Sequence, residues 1–309
     1  MSRTLTYALL VFVMFTWGLN VVAIKFLVLN MPPIMMQSMR IFLAGLVTML
    51  TLYVLKDLRK MTKREWLYTF LAALLGQVAH HAFLALGLIE TTSSNASLIL
   101  GLIPLTTAIL ASIFLKEKLS KLKMLGIVLG FIGVAFVVLQ NGQGLSIISR
   151  GDLIIFASML SQAFSFILIK KVTSTLSPKQ MTAVMLLIGS VVLLGISFLF
   201  EAKEFNQRTE ASSLVWIVLV LSAVLATGLG HLLYNEGIHR IGAEQTAIFN
   251  NLVPFFALVG AYIFLGETIL FSQILGFILI VAGVLLGTGY VEERLMKNRL
   301  STTGHGPDV

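Results

Sequence analysis

The sequence predicts an all-α integral membrane protein of ten transmembrane helices, arranged as two inverted five-helix repeats. Three observations predict it. The 309 residues are 57% hydrophobic and only 12% charged, where a soluble domain carries about 25% charge. So little charge cannot cover a water-facing surface. Ten apolar runs follow one another, each about long enough to cross ~30 Å of hydrocarbon as a helix. The chain also repeats itself: residues 66–139 overlay residues 216–289 without a gap, with 18 identities over 74 positions at an offset of 150. The identities pair Trp66 with Trp216, His81 with His231, Gly87 with Gly237, Pro104 with Pro254 and Glu117 with Glu267. Leucine bias does not give matched Trp, His, Pro and Glu in one register, so the chain is a duplication.

In chain order the runs cover residues 4–29, 34–55, 66–89, 95–115, 122–139, 153–171, 179–200, 214–236, 243–265 and 272–290. The first follows Met1 and Arg3 like a signal peptide. It lacks a small-x-small cleavage site near residues 17–20, so it reads as a retained span. Pro32-Pro33 ends it, residues 91–95 can cap the fourth span, and residues 141–144 form a turn. The repeats divide at residue 142, giving 1–142, 143–290 and a polar tail over 291–309.

Lys and Arg set the orientation. With the N-terminus inside, the inner segments hold 17 of the 22 and the outer ones 4, with Arg40 inside a span. Positive charge gathers on the cytoplasmic side of membrane proteins, so both termini are expected there. The same bias accounts for the net charge of +8 without a nucleic-acid partner. The lipid bilayer and a small-molecule substrate are the expected partners. Five spans per repeat is an odd number, so the second copy enters the membrane inverted. Transporters use such repeats to exchange inward- and outward-open forms around a midplane site.

Polar side chains at depth cost roughly 2.5–3.5 kcal/mol each by insertion scales, so each needs a reason. Arg40 either snorkels to a backbone carbonyl or faces a cavity, where its fork would grip a substrate carboxylate. Lys25 reads as an interfacial anchor or a ligand. Trp17 and Asn20 share a helix face at i, i+3, and Asn20 needs a partner in either a cavity or a helix contact. Gln77 and His81 lie at i, i+4 on the third span, with His80 turned about 100° away. His231 and Asn235 repeat that spacing on the eighth, with Tyr234 between them. A histidine here packs, lines a cavity or carries a coupling proton. The copies place His81 and His231 at matching points of oppositely running spans, not side by side.

Asn250 and Asn251 precede Pro254 by one turn, so they either satisfy the ladder that the proline breaks or touch substrate. Pro104 and Pro254 are candidate hinges. Glu117 and Glu267 are expected to cap helices or order loops. Gly126 and Gly133, with Gly276 and Gly283, present close-packing faces between helices or between protomers of a homodimer; a monomer is the alternative.

The motif Trp17-Gly18-Leu19-Asn20 with Lys25, Arg40 in the second span, and Pro104 followed by Leu115-Lys116-Glu117, Gly126 and Gly133 resemble the EamA-like branch of the drug/metabolite transporter superfamily. The second copy has Pro254, Leu265-Gly266-Glu267, Gly276 and Gly283. The resemblance implies ten helices, an inverted repeat, a central cavity, and export of amino acids or other small metabolites across the bacterial inner membrane. Two features depart from the pattern. Gln162-Ala163 stands where Trp-Ala is usual, and Met185-Leu186-Leu187 stands where the seventh span would carry an arginine.

The sequence therefore points to a secondary transporter working by alternating access, with a proton as one candidate driving ion. No Gly-x4-Gly-Lys-Ser/Thr loop is present to couple ATP, no cofactor motif occurs, and no cysteine is available as a metal ligand. A passive facilitator or channel is the main alternative. An intramembrane His-based metalloenzyme is disfavoured, because His80 and His81 diverge and no His-x3-His occurs.

Overall fold

The computed structural model describes residues 3–139, 149–172, 174–202, 212–241, 246 and 249–292. Every described element is a helix. In chain order they are α1 Arg3–Asn30, α2 Pro33–Val54, α3 Lys63–Glu90, α4 Ser93–Phe114, α5 Lys121–Leu139, α6 Arg150–Lys170 and α7 Pro178–Phe200. Then come α8, from Ser213 to Ile241, α9 Leu252–Leu265 and α10 Phe271–Gly287. Eight of these are long and apolar enough to cross a membrane. The other two, α9 and α10, are shorter, at 14 and 17 residues. The ten expected runs all carry helix, but α9 is shortened by a turn at Asn250-Asn251. The expected tail begins to lie outside the described residues after Glu292.

Helix starts follow local chemistry. Pro33 opens α2 at its first position, where a missing N–H costs nothing. Thr62 and Glu65 form a reciprocal capping box at α3, Thr92 accepts from the Asn95 amide at α4, and Ser149 accepts from the Asp152 amide at α6. Two starts are capped from the other half of the chain. Glu201, just past α7, accepts from the amides of Ile34 and Met35, both at 2.8 Å. Glu267, between α9 and α10, accepts from the amides of Ser93 at 2.7 Å and Ser94 at 3.1 Å. A carboxylate there satisfies free N–H groups and meets the positive end of the helix dipole. Its repeat partner Glu117 is instead paired with Lys170.

Irregularities recur at the repeat spacing. Within α3 the segment Leu74–Ala79 is wound as π-helix, and within α8 so is Ser222–Leu229. The break in α4 after Leu100, at Gly101, matches the turn at Asn251 before α9, and Pro104 and Pro254 follow these breaks. Lys116 at φ 57° and Gly266 at φ 65° both end their helices in the left-handed region. The next amide donates back to Ala111 O in one copy and to Ala261 O in the other.

The repeat glycines lie between α5 and α10. A Cβ on Gly126 would sit 2.5 Å from the carbonyl oxygen of Gly283, and one on Gly283 would sit 2.6 Å from that of Gly126. A Cβ on Gly133 would be 2.8 Å from Gly276 O, and one on Gly276 would be 2.7 Å from Gly133 O. These faces are therefore filled within the chain, and the reading that held them open for a second protomer does not apply. The main core joins the helices of both halves through Ile24, Leu27, Met36, Leu88, Leu98, Leu102, Met159, Leu258 and Ile280. The belt facing outward is apolar, including Leu199, Phe200 and Phe271.

The seam gives a direct test. Gly126→Ala meets backbone that cannot move aside, and overpacking of this kind costs about 1–3 kcal/mol. Gly195 on α7 has nothing within 4 Å of an added Cβ, and Gly195→Ala in a helix gains about 0.5–1 kcal/mol. Thermal unfolding of the two variants in detergent is expected to move in opposite directions.

Candidate functional site

The site is built around Arg40 on α2, which is fully buried. Its Nε donates to Gln37 Oε1 at 2.8 Å, one turn back on the same helix. One terminal nitrogen donates to Thr227 Oγ1 at 2.7 Å, and the other to His81 Nδ1 at 3.1 Å. The guanidinium thus ties α2 to α3 and α8. Its partners are all neutral, and none of the ion pairs among the described residues includes it.

Hydrogen-bond roles fix the histidine tautomers. A guanidinium only donates, so His81 Nδ1 accepts, and the ring proton of His81 sits on Nε2. His231 Nδ1 lies 2.7 Å from the Thr227 carbonyl oxygen, which only accepts, so that nitrogen carries the proton. His80 Nδ1 lies 3.1 Å from Ser158 O and 2.8 Å from Ser158 Oγ, while that hydroxyl donates to His80 O at 2.8 Å. His80 Nδ1 is therefore a donor too, engaged with α6. The two adjacent histidines diverge as their spacing suggested, although their rings still touch at 4.7 Å. His81 and His231 are joined through Arg40 and Thr227. Both lie deep in the bundle and yet keep part of their surface accessible.

The π segments make this arrangement. Winding by five rather than four leaves carbonyls without a helical partner and re-aims side chains. Trp17 Nε1 on α1 donates to Ala226 O at 2.8 Å, and Ser222 Oγ donates to Asn20 Oδ1. In the other half Ser165 on α6, the counterpart of Asn20 at the offset of 145 that pairs Lys25 with Lys170, donates to Ala72 O at 2.9 Å, beside the first π segment. Trp17 also stacks obliquely on His231 at 5.2 Å and Tyr234 at 5.1 Å, and the Tyr234 hydroxyl accepts from Asn250 Nδ2 at 3.0 Å.

Trp17, Asn20, Arg40, His81, His231, Tyr234 and Asn250 thus form one connected group. Gln77 does not join it; its Cβ packs against Gly189 on α7, and its Oε1 has no hydrogen-bond partner. Lys25 lies at the far end of α1, donating to Leu88 O at 2.6 Å and Thr91 O at 2.9 Å. The side chain of Asn235 lies outside the described residues.

Four residues that partner the group or His80 carry no signal at the level of single positions: Gln37, Ser158, Ser222 and Thr227. One signal was available. Thr227 is the overlay partner of Gln77, a polar–polar match at depth that a count of identities passes over. Among the described residues no group of three His, Asp or Glu side chains could hold a metal ion.

Apolar helices of this length around a desolvated polar centre make a multi-pass membrane protein. The chain belongs to the EamA-like transporter family, which it matches twice, over residues 4–139 and 149–288. It is 33% identical to the uncharacterized transporter YyaM of Bacillus subtilis (strain 168), over 86% of this chain and 88% of that protein. It is 29% identical to the uncharacterized transporter YvbV of the same organism, over 93% and 92%. A solved crystal structure superposes with a TM-score of 0.69 at 16% identity, covering 95% of this chain and 99% of its own, and shares the fold. The protein is a membrane transporter.

Thr227→Val removes one acceptor from a buried guanidinium. An unsatisfied buried donor costs about 1–3 kcal/mol, more when charged. The variant is expected to unfold at lower temperature, and Thr227→Ser to retain most of the stability.

Proposed function

We propose that this chain is a secondary transporter that exports a carboxylated small metabolite, an amino acid or a related compound, across the bacterial inner membrane by alternating access. The observation that carries the reading is Arg40: a fully buried cation with only neutral partners among the described residues. Such a charge at depth calls for an anion. Three hydrogen bonds use three of its five N–H groups, and the remaining two suit a carboxylate. The aromatic group of Trp17, His231 and Tyr234 lies next to it and suits the apolar part of a metabolite.

Several observations support two inverted repeats divided near residue 142. The family matches each half separately. The contact between Gly126 and Gly283 maps at the repeat offset onto the contact between Gly276 and Gly133, the pattern of a two-fold axis passing between α5 and α10. Charge bias supports cytoplasmic termini.

Alternating access is supported by a broken symmetry. Lys170 and Glu117 form an ion pair. Their repeat counterparts, Lys25 and Glu267, lie within electrostatic reach of each other but are turned to backbone groups. In the opposite conformation the two pairs are expected to exchange arrangements. A passive facilitator would hold one arrangement throughout.

Two experiments test this. Cells expressing the chain are loaded with labelled amino acids, purines and sugars, and efflux is followed with and without a collapsed proton gradient. Selective export of a carboxylated class is expected. Arg40→Ala should weaken it by about 1.5–3 kcal/mol, roughly ten- to a hundredfold; wild-type affinity in that variant would refute the carboxylate role. The chain has no native cysteine, so Lys25→Cys/Glu267→Cys and Lys170→Cys/Glu117→Cys can be cross-linked cleanly. Substrate should raise one yield and lower the other, and parallel changes would count against alternating access.

A further inference from the structure

Three histidines lie near Arg40, and they are not equivalent. His80 and His231 hold their partners with Nδ1–H, so a second proton can enter each on Nε2 with those bonds intact. His81 already carries its proton on Nε2, because Nδ1 accepts from Arg40. The only nitrogen left for a proton on His81 is the one that Arg40 occupies. Protonation of His81 and its bond to Arg40 exclude each other.

The surroundings decide what must accompany the proton. The titratable and charged groups facing His81 are His80 on its own helix, Arg40 from α2 and His231 from α8. The remaining elements against this part of α3 are α1, α4, α6 and α7, and α7 carries no charged side chain from Gln180 to Phe200. The polar group α6 brings here is Ser158, which serves His80. Asp152 of α6 meets Thr91, and Lys25 of α1 meets Leu88 and Thr91. Thr91 is about 15 Å along the helix from His81 at 1.5 Å per residue. A proton on His81 therefore puts a second cation beside Arg40 with no carboxylate of the described residues to offset it. That state is favourable only with an anion between them.

We propose that His81 is the proton-coupling group of the transporter: a proton on its Nδ1 releases one edge of Arg40, and that edge takes the substrate carboxylate, so proton and anion bind together and cross together. This rests on the reading of the chain as a carrier of a carboxylated metabolite, and adds the sign of the coupling. The proton moves with the substrate, so efflux runs on the outward substrate gradient and is opposed by an inward proton gradient.

The test has two arms. Full-length protein in bilayers, labelled with 15N at its five histidines, is titrated from about pH 8 to about pH 5. His81, assigned by its loss in His81→Asn, is expected to show a bare Nδ1 at the alkaline end, unlike His80 and His231. A proton on His81 Nδ1 at that end would overturn the proposal. In proteoliposomes, labelled glutamate, lactate and leucine are tested for counterflow and for proton movement. For a carboxylate that exchanges, affinity should weaken about tenfold per pH unit above the titration of His81, the slope for one linked proton. Collapsing an inward proton gradient should speed its efflux. In His81→Asn, whose amide oxygen can take the place of Nδ1, the residual exchange should be independent of pH and move no protons. Efflux that stops on collapse of the gradient, or coupling that survives His81→Asn, would overturn the proposal while leaving the transporter reading standing. Counterflow of none of the three would remove the carboxylate site and the proposal with it.

Discussion

A guanidinium held in the middle of a membrane protein by neutral acceptors constrains everything around it. Arg40 cannot lose its charge in a protein, and water does not reach it directly. Its stability there depends on Gln37, Thr227 and His81 staying in place together. Two of those three belong to other helices, one in each half of the chain. The bond set is therefore also a clamp: any rearrangement that separates α2 from α3 or α8 strips acceptors from a buried charge and requires a replacement acceptor. A substrate carboxylate is a replacement of the right geometry. On the proposed coupling, the edge of Arg40 that holds His81 is the edge that takes substrate, which would link binding to conformational change.

The π segments explain how three helices converge on one side chain. In a regular helix Gln77 and His81 would project along one face. The extra residue in the turns of Leu74–Ala79 breaks that register, so Gln77 packs on Gly189 while His81 reaches Arg40. The matching segment in α8 delivers Thr227 to Arg40 and turns Ala226 O toward Trp17. A carbonyl freed from the ladder in hydrocarbon must be satisfied, and α1 and α6 each supply a polar side chain to a π-containing neighbour. The π stretches of α3 and α8 are thus each held by a helix of the opposite repeat.

Much of this was legible in the sequence, because duplication leaves identities and lipid imposes composition. The overlay paired Gly126 with Gly276 and Gly133 with Gly283, and these are the residues whose backbones meet. Thr92 and its neighbours read as a cap and are one. The face shared by Gln77 and His81 did not survive, since periodicity assumes 3.6 residues per turn and nothing in Leu74–Ala79 announces a π turn. Glu201 lies just past the seventh apolar run, where no local pattern marks it. Its role as the cap of α2 depends on contacts 166 and 167 residues away in sequence, which no local pattern records. Arg40 was legible as a residue needing a partner and His81 as a polar residue at depth, whereas Thr227 and Gln37 are ordinary polar side chains until the fold aims them.

The symmetry is incomplete where the chemistry is most concentrated. Met185 occupies the position in α7 that corresponds to Arg40, and Gln77, the counterpart of Thr227, is left with its Oε1 unpartnered. The two repeats share backbone geometry at their π turns, breaks and glycine seam. They do not share the charge. A fully symmetric carrier would hold its inward- and outward-facing forms at equal energy. Arg40 sits in the first repeat, and Met185 stands at the corresponding position of the second, so on the proposed mechanism the two forms would be unequal until an anion and its accompanying proton offset the difference. On that proposal, one arginine rather than two would make the conformational equilibrium depend on cargo, with the duplicated scaffold supplying the two related shapes.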